Sequence, residues 1–314
     1  MPVWRFGSKG GIPVKGNLLV IGSLNMDHVT HLSHMPQVGE TVLAQGLELV
    51  PGGKGANQAY AMGKLGGRAA MLGAVGADSQ GERLCGNLAD VGVDVSRIQR
   101  RTDTATGMAV IGVTPQGDNS IIVLPGANAQ VTPEYVAANR DLLEASDLVV
   151  LQLEIPLETV VYAAREAKAL GKRVILDPAP AVPNLPEELF GCLELIKPNE
   201  TELSILTGRP YCPDHLREDA RSLQERGVKN VLVTLGGKGS YLLREDGRET
   251  YLAADETVQV VDTTAAGDSY VGALAAALSQ GKDLEEAARF ASRVADVVVA
   301  RPGAQSSIPS LEEL

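Results

Sequence analysis

Apolar residues in this chain come in short continuous runs rather than long alternating stretches. Leu18-Leu19-Val20-Ile21 stops at Gly22, and comparable runs occupy 148–153, 173–176, 193–196 and 230–235. Runs of this length, bounded by turn residues, read as strands buried on both faces. The segment 69–75 reads as another such strand. Helical periodicity fills the intervals, beginning with the small and apolar residues of 56–66. The alternation predicts an α/β fold with a mainly parallel central sheet and helices on both faces. Two segments break the pattern. Residues 27–53 are more polar and alternating, with turn signals at Met35-Pro36 and Val38-Gly39. Residues 105–128 read as a hairpin, with strands at 108–113 and 120–124 around Pro115-Gln116-Gly117-Asp118. Neither fits a buried parallel sheet, so both are assigned to a small β lid. Residues 1–16 read as a flexible extension, which leaves 17–314 as one α/β domain.

Composition narrows the partners. The chain has 314 residues, enough for a large core, and its 34 glycines and three phenylalanines suit tight turns and aliphatic packing. A formal net charge of −11 argues against nucleic acid or an anionic membrane as the main partner. An anionic substrate must then meet a local positive site. Cys85, Cys192 and Cys212 are few and widely spaced, which fits reduced thiols in the cytoplasm. No run approaches the roughly 18 apolar residues that a membrane-spanning helix needs.

Missing motifs shape the search for chemistry. The sequence has no GxGxxG and no GxxxxGK[ST], so neither a Rossmann nor an ordinary P-loop site is marked. Instead, Asp262-Thr263-Thr264-Ala265-Ala266-Gly267-Asp268 runs into the helix-forming 269–278. A small-residue turn at a helix start offers unpaired amides and the positive end of the dipole to an anion, typically phosphate. Asp268 places a carboxylate beside that anion. It serves either as a helix cap or as a base for a group next to the phosphate.

Pro51-Gly52-Gly53-Lys54-Gly55-Ala56-Asn57 is a second glycine-rich turn into a helix, suited to a polyol or to a plain loop junction. Asn25 and Asp27, at i and i+2 after the first strand, share one face. They suit two neighbouring hydroxyls or an Asx turn. Glu154 follows the strand 148–153. Asn199 and Glu202 follow 193–196, spaced for metal-bound water near phosphates or for a capping box. Thr234 and Gly236 follow the strand 230–235. Asn25, Glu154, Asn199 and Thr234 thus converge on the carboxyl edge of one sheet, where open α/β folds bind ligands.

The segments Gly52–Gln58 and Asp262–Asp268 resemble the two signatures of the ribokinase (PfkB-type) carbohydrate kinases, and the similarity extends from about Leu18 to Pro309. Gly126-Ala127-Asn128 and Gly303-Ala304-Gln305 place it nearest the ribose-phosphorylating members. The resemblance implies ATP-dependent phosphorylation of ribose at O5. Asp268 would be the base, and Ala265, Ala266 and Gly267 the anion hole. Asn25, Asp27, Gly53, Lys54, Asn57 and Glu154 would hold the sugar. Asn199 and Glu202 would organise Mg²⁺ and phosphate, and Thr234, Gly236 and Gly267 would border ATP. Asp262, Thr264 and Ser307, with carbonyls near Val298, Arg301 and Gly303, would bind an activating K⁺. The lid would also clasp a second copy into a homodimer. Tyr270 departs from the phenylalanine usual in the signature, and Val298 and Arg301-Pro302 depart in the cation loop. Other readings are a different acceptor on the same fold (2-deoxyribose, a ketohexose or its phosphate, a nucleoside) or a catalytically silent sensor of sugar or nucleotide.

Overall fold

The computed structural model describes residues 16–314. The expected extension over 1–16 lies outside the described residues, Gly16 apart. In chain order the first strands are β1 (Asn17–Ile21), β2 (Asn25–His31), β3 (Gly46–Gly52), β4 (Arg68–Leu72), β5 (Ala74–Gly76), β6 (Gln99–Arg101), β7 (Gly107–Val113) and β8 (Asn119–Leu124). Then follow β9 (Leu148–Leu151), β10 (Arg173–Leu176), β11 (Leu195–Ile196), β12 (Asn230–Thr234), β13 (Ser240–Leu243) and β14 (Glu249–Leu252). The helices are α1 (Lys54–Lys64), α2 (Ser79–Asp90), α3 (Pro133–Ala138), α4 (Arg140–Ala145) and α5 (Leu157–Ala169). They continue as α6 (Glu187–Phe190), α7 (Glu200–Thr207), α8 (Leu216–Glu225), α9 (Ala266–Ser279) and α10 (Leu284–Val299).

Eight strands form the central sheet in the order β14-β13-β12-β11-β10-β9-β1-β4. From β4 to β12 they are parallel, and β13 and β14 return antiparallel. Successive β1 side chains enter opposite cores. Leu18 and Val20 pack with α1, α2, α9 and α10. Leu19 and Ile21 pack with the layer that includes α3 to α8. This is why the run is continuously apolar: both faces of the sheet are covered. The expected mainly parallel α/β sheet is therefore present. Parallel strands with right-handed crossovers bring their carboxyl ends to one edge, and the loops there carry the site.

The lid is a separate four-stranded sheet in the order β3-β2-β7-β8. Register sets its faces. Asp27 lies opposite Val50 and Ala109, and Ala109 opposite Val123. Val29, Ile111 and Ile121 share that same face two residues on. β8 is exposed along its whole length.

The segment read as one strand at 69–75 is in fact two. β4 ends at Leu72, and β5 pairs with β6 in a small sheet of its own. The break is at Gly73, where a Cβ would lie 2.6 Å from the Leu24 side chain, so the chain can pass close there and leave the main sheet. β11 is also shorter than its apolar run, covering only two residues.

Candidate active site

The turn before α9 is built on Ala265, which has φ 58°, a left-handed conformation uncommon for a residue with a side chain. It bends the backbone so that the Ala266 amide donates to Thr263 O at 3.2 Å. The Ala266 amide, expected to face an anion, here closes the turn. The next helical bond is Ser269 N to Ala265 O at 2.8 Å. Among the described residues, the amides of Gly267 and Asp268 have no backbone acceptor, and they stand at the positive end of α9. Asp268 is not a cap. Ala265 occupies the cap position with no side-chain cap bond. The Asp268 carboxylate, 6% exposed, instead accepts from Asn57 Nδ2 at 2.9 Å and Gln58 Nε2 at 3.3 Å. Both donors come from the first turns of α1, so the two glycine-rich turns meet at this carboxylate.

The lid side is set by close backbone approach. Gly53, with φ 88°, opens α1, and a Cβ there would lie 2.6 Å from Asn25 N. A Cβ on Gly52 would overlap the Asp27 carboxylate. Asn25 Oδ1 accepts from Asn128 Nδ2 at 2.7 Å. Asn128 is itself fixed by Leu24, whose amide donates to Oδ1 at 2.9 Å and whose carbonyl accepts from Nδ2 at 3.1 Å. That arrangement turns the Asn25 amide so that Nδ2 is left for an outside acceptor. Glu154 Oε2 accepts from Ser23 Oγ at 2.5 Å and Lys54 N at 3.0 Å, tying the β1 and β9 loops to the start of α1. Asp27, by contrast, has its carboxyl raised to about 7, first by burial and then by Glu154 and Asp268. The Lys54 ammonium is pushed further up by Asp268 above all, with Asp177, Glu154 and Glu202 adding to it. Lys54 is thus the cation shared by both halves of the site.

A cleft of about 830 Å³ continues from Lys54 and Asp268 past Asp177, Lys197, Asn199, Glu202, Thr234, Gly236 and Gly267. Asn199 and Glu202 form a reciprocal capping box, each side chain bonded at 2.8 Å to the other's backbone amide. The capping reading is therefore correct, and both residues nonetheless line the cleft. Two buried groups here were not singled out from sequence. Lys197 Nζ lies 3.4 Å from Asp177 Oδ1, with the two side chains 4% and 2% exposed. A Cβ on Gly267 would sit 3.6 Å from the same ammonium, so Lys197 underlies the anion turn. Burial pushes the Asp177 carboxyl up, against the pull of Lys197 and Lys54. Asp177 follows β10 as Glu154 follows β9, so the strand-end signal that marked Glu154 marked Asp177 too. Gln58 and Asn128 carried no strand-end signal and entered the sequence reading only as members of the segments that carry the resemblance.

The donor sets can be tested against the implied ions. Among the described residues no three His, Cys, Asp or Glu side chains converge on a point. Mg²⁺ does not need such a cage, since it keeps waters and takes one or two carboxylates with substrate phosphates. Asp177 and Glu202 in the cleft fit that pattern. Elsewhere, Asp262 Oδ1 accepts from Thr264 N at 2.8 Å and Thr264 Oγ1 at 2.6 Å, and Oδ2 from Gly303 N at 2.9 Å. Desolvation raises the Asp262 carboxyl, but these hydrogen bonds outweigh it and hold the group below its usual value. The carboxylate joins the turn before α9 to the loop after α10, which carries Arg301, Gly303 and Ser307, while Val298 lies in the last turn of α10 itself. Carbonyl, hydroxyl and single-carboxylate oxygens of that kind suit a large monovalent cation. The bulk of Val298 is buried in the core, and the Arg301 side chain pairs with Glu313 at 2.9 Å. Neither side chain is therefore asked to bind. Tyr270 keeps its hydroxyl within the core, 3.1 Å from Ser240 Oγ and 3.2 Å from Ala288 O. The departure from phenylalanine is thus satisfied by two local partners.

The chain matches the pfkB family carbohydrate kinases over residues 15–311. It is 38% identical over 301 residues to a ribokinase of Haemophilus influenzae, spanning 96% of this chain and 97% of that one. It is 39% identical over 298 residues to a deoxyribokinase of Salmonella typhi, spanning 95% and 97%. Among solved structures, the Arabidopsis thaliana ribokinase complexed with ribose and ATP superposes with a TM-score of 0.88 at 36% identity, covering 94% of this chain and 96% of that one. The ribokinase of Thermotoga maritima gives 0.85 at 39% identity, covering 95% and 97%. A match over this length, with the two signature turns meeting at one carboxylate, makes the chain a member of the pfkB family of carbohydrate kinases.

Proposed function

We propose that this chain transfers the γ-phosphoryl group of ATP to O5 of ribose, with Asp268 as general base. The observation that carries the reading is the place of Asp268. It is buried, held by two amides, and lies between the lid-side group of Asn25, Asp27 and Glu154 and the cleft past Lys197. Phosphoryl transfer depends on positioning and charge neutralisation. Gly53 and Asn57, with Asn25, Asp27 and Glu154, orient the sugar so that O5 faces Asp268, which takes its proton. The amides of Gly267 and Asp268 and the ammonium groups of Lys54 and Lys197 stabilise the negative charge on the transferring group. Thr234 and Gly236 border the nucleotide. Mg²⁺, when bound, neutralises the phosphate oxygens, and Asp177, Glu202 and Asn199 would hold it through water. K⁺ would be held by Asp262, Thr264 and Ser307 with the carbonyls of Val298, Arg301 and Gly303, bracing the turn that carries the anion hole.

The lid excludes water, a competing acceptor. Its Asp27 face also carries Val29, Ile111, Ile121 and Val123, an apolar surface suited to a second copy and hence to a homodimer. Three free thiols support a reducing compartment, the cytoplasm. Among the described residues no helix is long and apolar enough to cross a membrane.

Deoxyribose is the second reading to weigh, because one relative of equal similarity is a deoxyribokinase. Asn25 favours ribose, its free Nδ2 suiting a 2-hydroxyl. The experiment is ADP release from MgATP in potassium buffer with ribose, 2-deoxyribose, fructose, fructose 6-phosphate and adenosine. The expected result is a kcat/KM for ribose at least tenfold above every other acceptor. Preference for 2-deoxyribose would keep the base and reassign Asn25, and no turnover with any acceptor would overturn the proposal.

A further inference from the structure

Two chains of side-chain amides run through the floor of the site and end on Asp268. In one, Asn87 Nδ2 donates to Gln305 Oε1, Gln305 Nε2 to Asn57 Oδ1 at 2.9 Å, and Asn57 Nδ2 to Asp268 Oδ2 at 2.9 Å. In the other, Gln152 Nε2 donates to Gln58 Oε1 at 2.6 Å, and Gln58 Nε2 reaches Asp268 Oδ1 at 3.3 Å and Asp177 Oδ2 at 2.8 Å. Asn57, Gln58, Gln152 and Gln305 are all buried. An ionised carboxylate only accepts hydrogen bonds, whereas an amide donates at one end and accepts at the other. The charge on Asp268 therefore sets Asn57 with Nδ2 inward. That leaves Asn57 Oδ1 facing outward, where only a donor satisfies it. Gln305 is that donor, and it stays so because Asn87 holds its other end.

We propose that Gln305 is a positioning residue for the reaction: it fixes the polarity of the Asn57 amide and through it the orientation of the Asp268 carboxylate. Gln305 belongs to the loop whose Gly303 amide holds Asp262. The loop after α10 is thereby joined to the site at both ends of the 262–268 turn. The inference rests on Asp268 being the base. It predicts that shape alone at position 305 is not enough, because the position must also donate.

Gln305→Met keeps the length and removes the donor. Gln305→Glu keeps the length, the Asn87 bond and an acceptor, so it forces Asn57 to turn over and present Oδ1 to Asp268. Loss of a hydrogen bond reaching a charged group predicts that Gln305→Met lowers kcat roughly 10- to 100-fold. Gln305→Glu is expected to fall below it at pH 8. Both are expected to keep the ATP KM within about twofold, and Gln305→Met to keep its thermal midpoint. A Gln305→Met enzyme with kcat within twofold of the parent overturns the inference. So does a kcat loss matched by a rise in ATP KM and a fall in thermal midpoint, which marks a role in packing alone. Asp268→Asn measured alongside separates the two readings. If it retains activity, the base assignment falls and this inference with it; if it is inactive while Gln305→Met is normal, only the positioning role falls.

Discussion

Asp268 on the floor of the cleft and Asp27 on lid strand β2 are both carboxylates beside the same ligand space, yet the fold treats them differently. Asp268 receives two amide donors from α1 and has Lys54 nearby. Among the described residues Asp27 receives no such donors; burial, with Glu154 and Asp268 adding to it, raises it to about 7. The floor carboxylate is held by the protein's own amides and faces a lysine. Under the proposed function, sugar hydroxyls would supply the donors that the fold does not give Asp27. If Asp268 is the base, as proposed, a base held by the fold beside a binding half completed by the sugar is what the reaction needs.

The largest expected effect on the lid half comes from Asn128, which touches no ligand in the proposed mechanism. Asn128→Ala frees the Asn25 amide to rotate and leaves buried polar atoms unpaired. It is expected to raise the ribose KM roughly 10-fold or more, with ATP KM unchanged, in steady-state assays. Equal effects on both substrates would mean that the floor and lid are not separable.

The comparison sharpens with pH. If sugar hydroxyls donate to an ionised Asp27, as the proposed function has it, the ribose KM should rise as pH falls below about 7 while the ATP KM stays flat. Stability runs the other way. The folded-state value of Asp27 lies above its unfolded one. Its contribution is therefore fully present below about pH 4 and is lost as pH rises through about 7. Asp27→Asn is accordingly expected to raise the thermal midpoint by a few degrees at pH 8 while weakening ribose binding. A lower midpoint would show that Asp27 is already satisfied without ligand.

The smallest effect on chemistry is expected at the outer part of the lid. Ile121→Glu on the apolar Asp27 face should shift sedimentation from dimer to monomer and change kcat less than about threefold. A dimer unaffected by this charge would place the interface elsewhere.

The sequence made the floor more legible than the lid, for physical reasons. A helix start with an anion turn is a local feature, so Asp268 and the 262–268 segment could be located from adjacent residues. The strand ends carrying Glu154, Asn199 and Thr234 were also readable, because continuous apolar runs fixed the sheet. Asn128 and Gln305 stood in segments quoted for the resemblance, but their contacts with distant residues escaped. Asn128 meets Asn25 from 103 positions away, and Gln305 meets Asn57 from 248. Neither pair has a local pattern. Gly73, just past the end of β4, likewise packs where a Cβ would meet the Leu24 side chain and the Gly22 carbonyl, contacts that periodicity in 69–75 does not contain. The Ala266 amide was assigned to the anion hole from its position in the motif. Its bond to Thr263 depends on the left-handed Ala265, a conformation that glycine would advertise and alanine does not.

The central claim is that the floor carboxylate is the base, and the direct measurement is Asp268→Asn with kcat and ribose affinity determined on the same preparation. The expected result is a folded protein that binds ribose within about threefold of the parent and turns over roughly 10²–10⁴-fold more slowly. Turnover within tenfold of the parent would contradict it and move proton removal to another group.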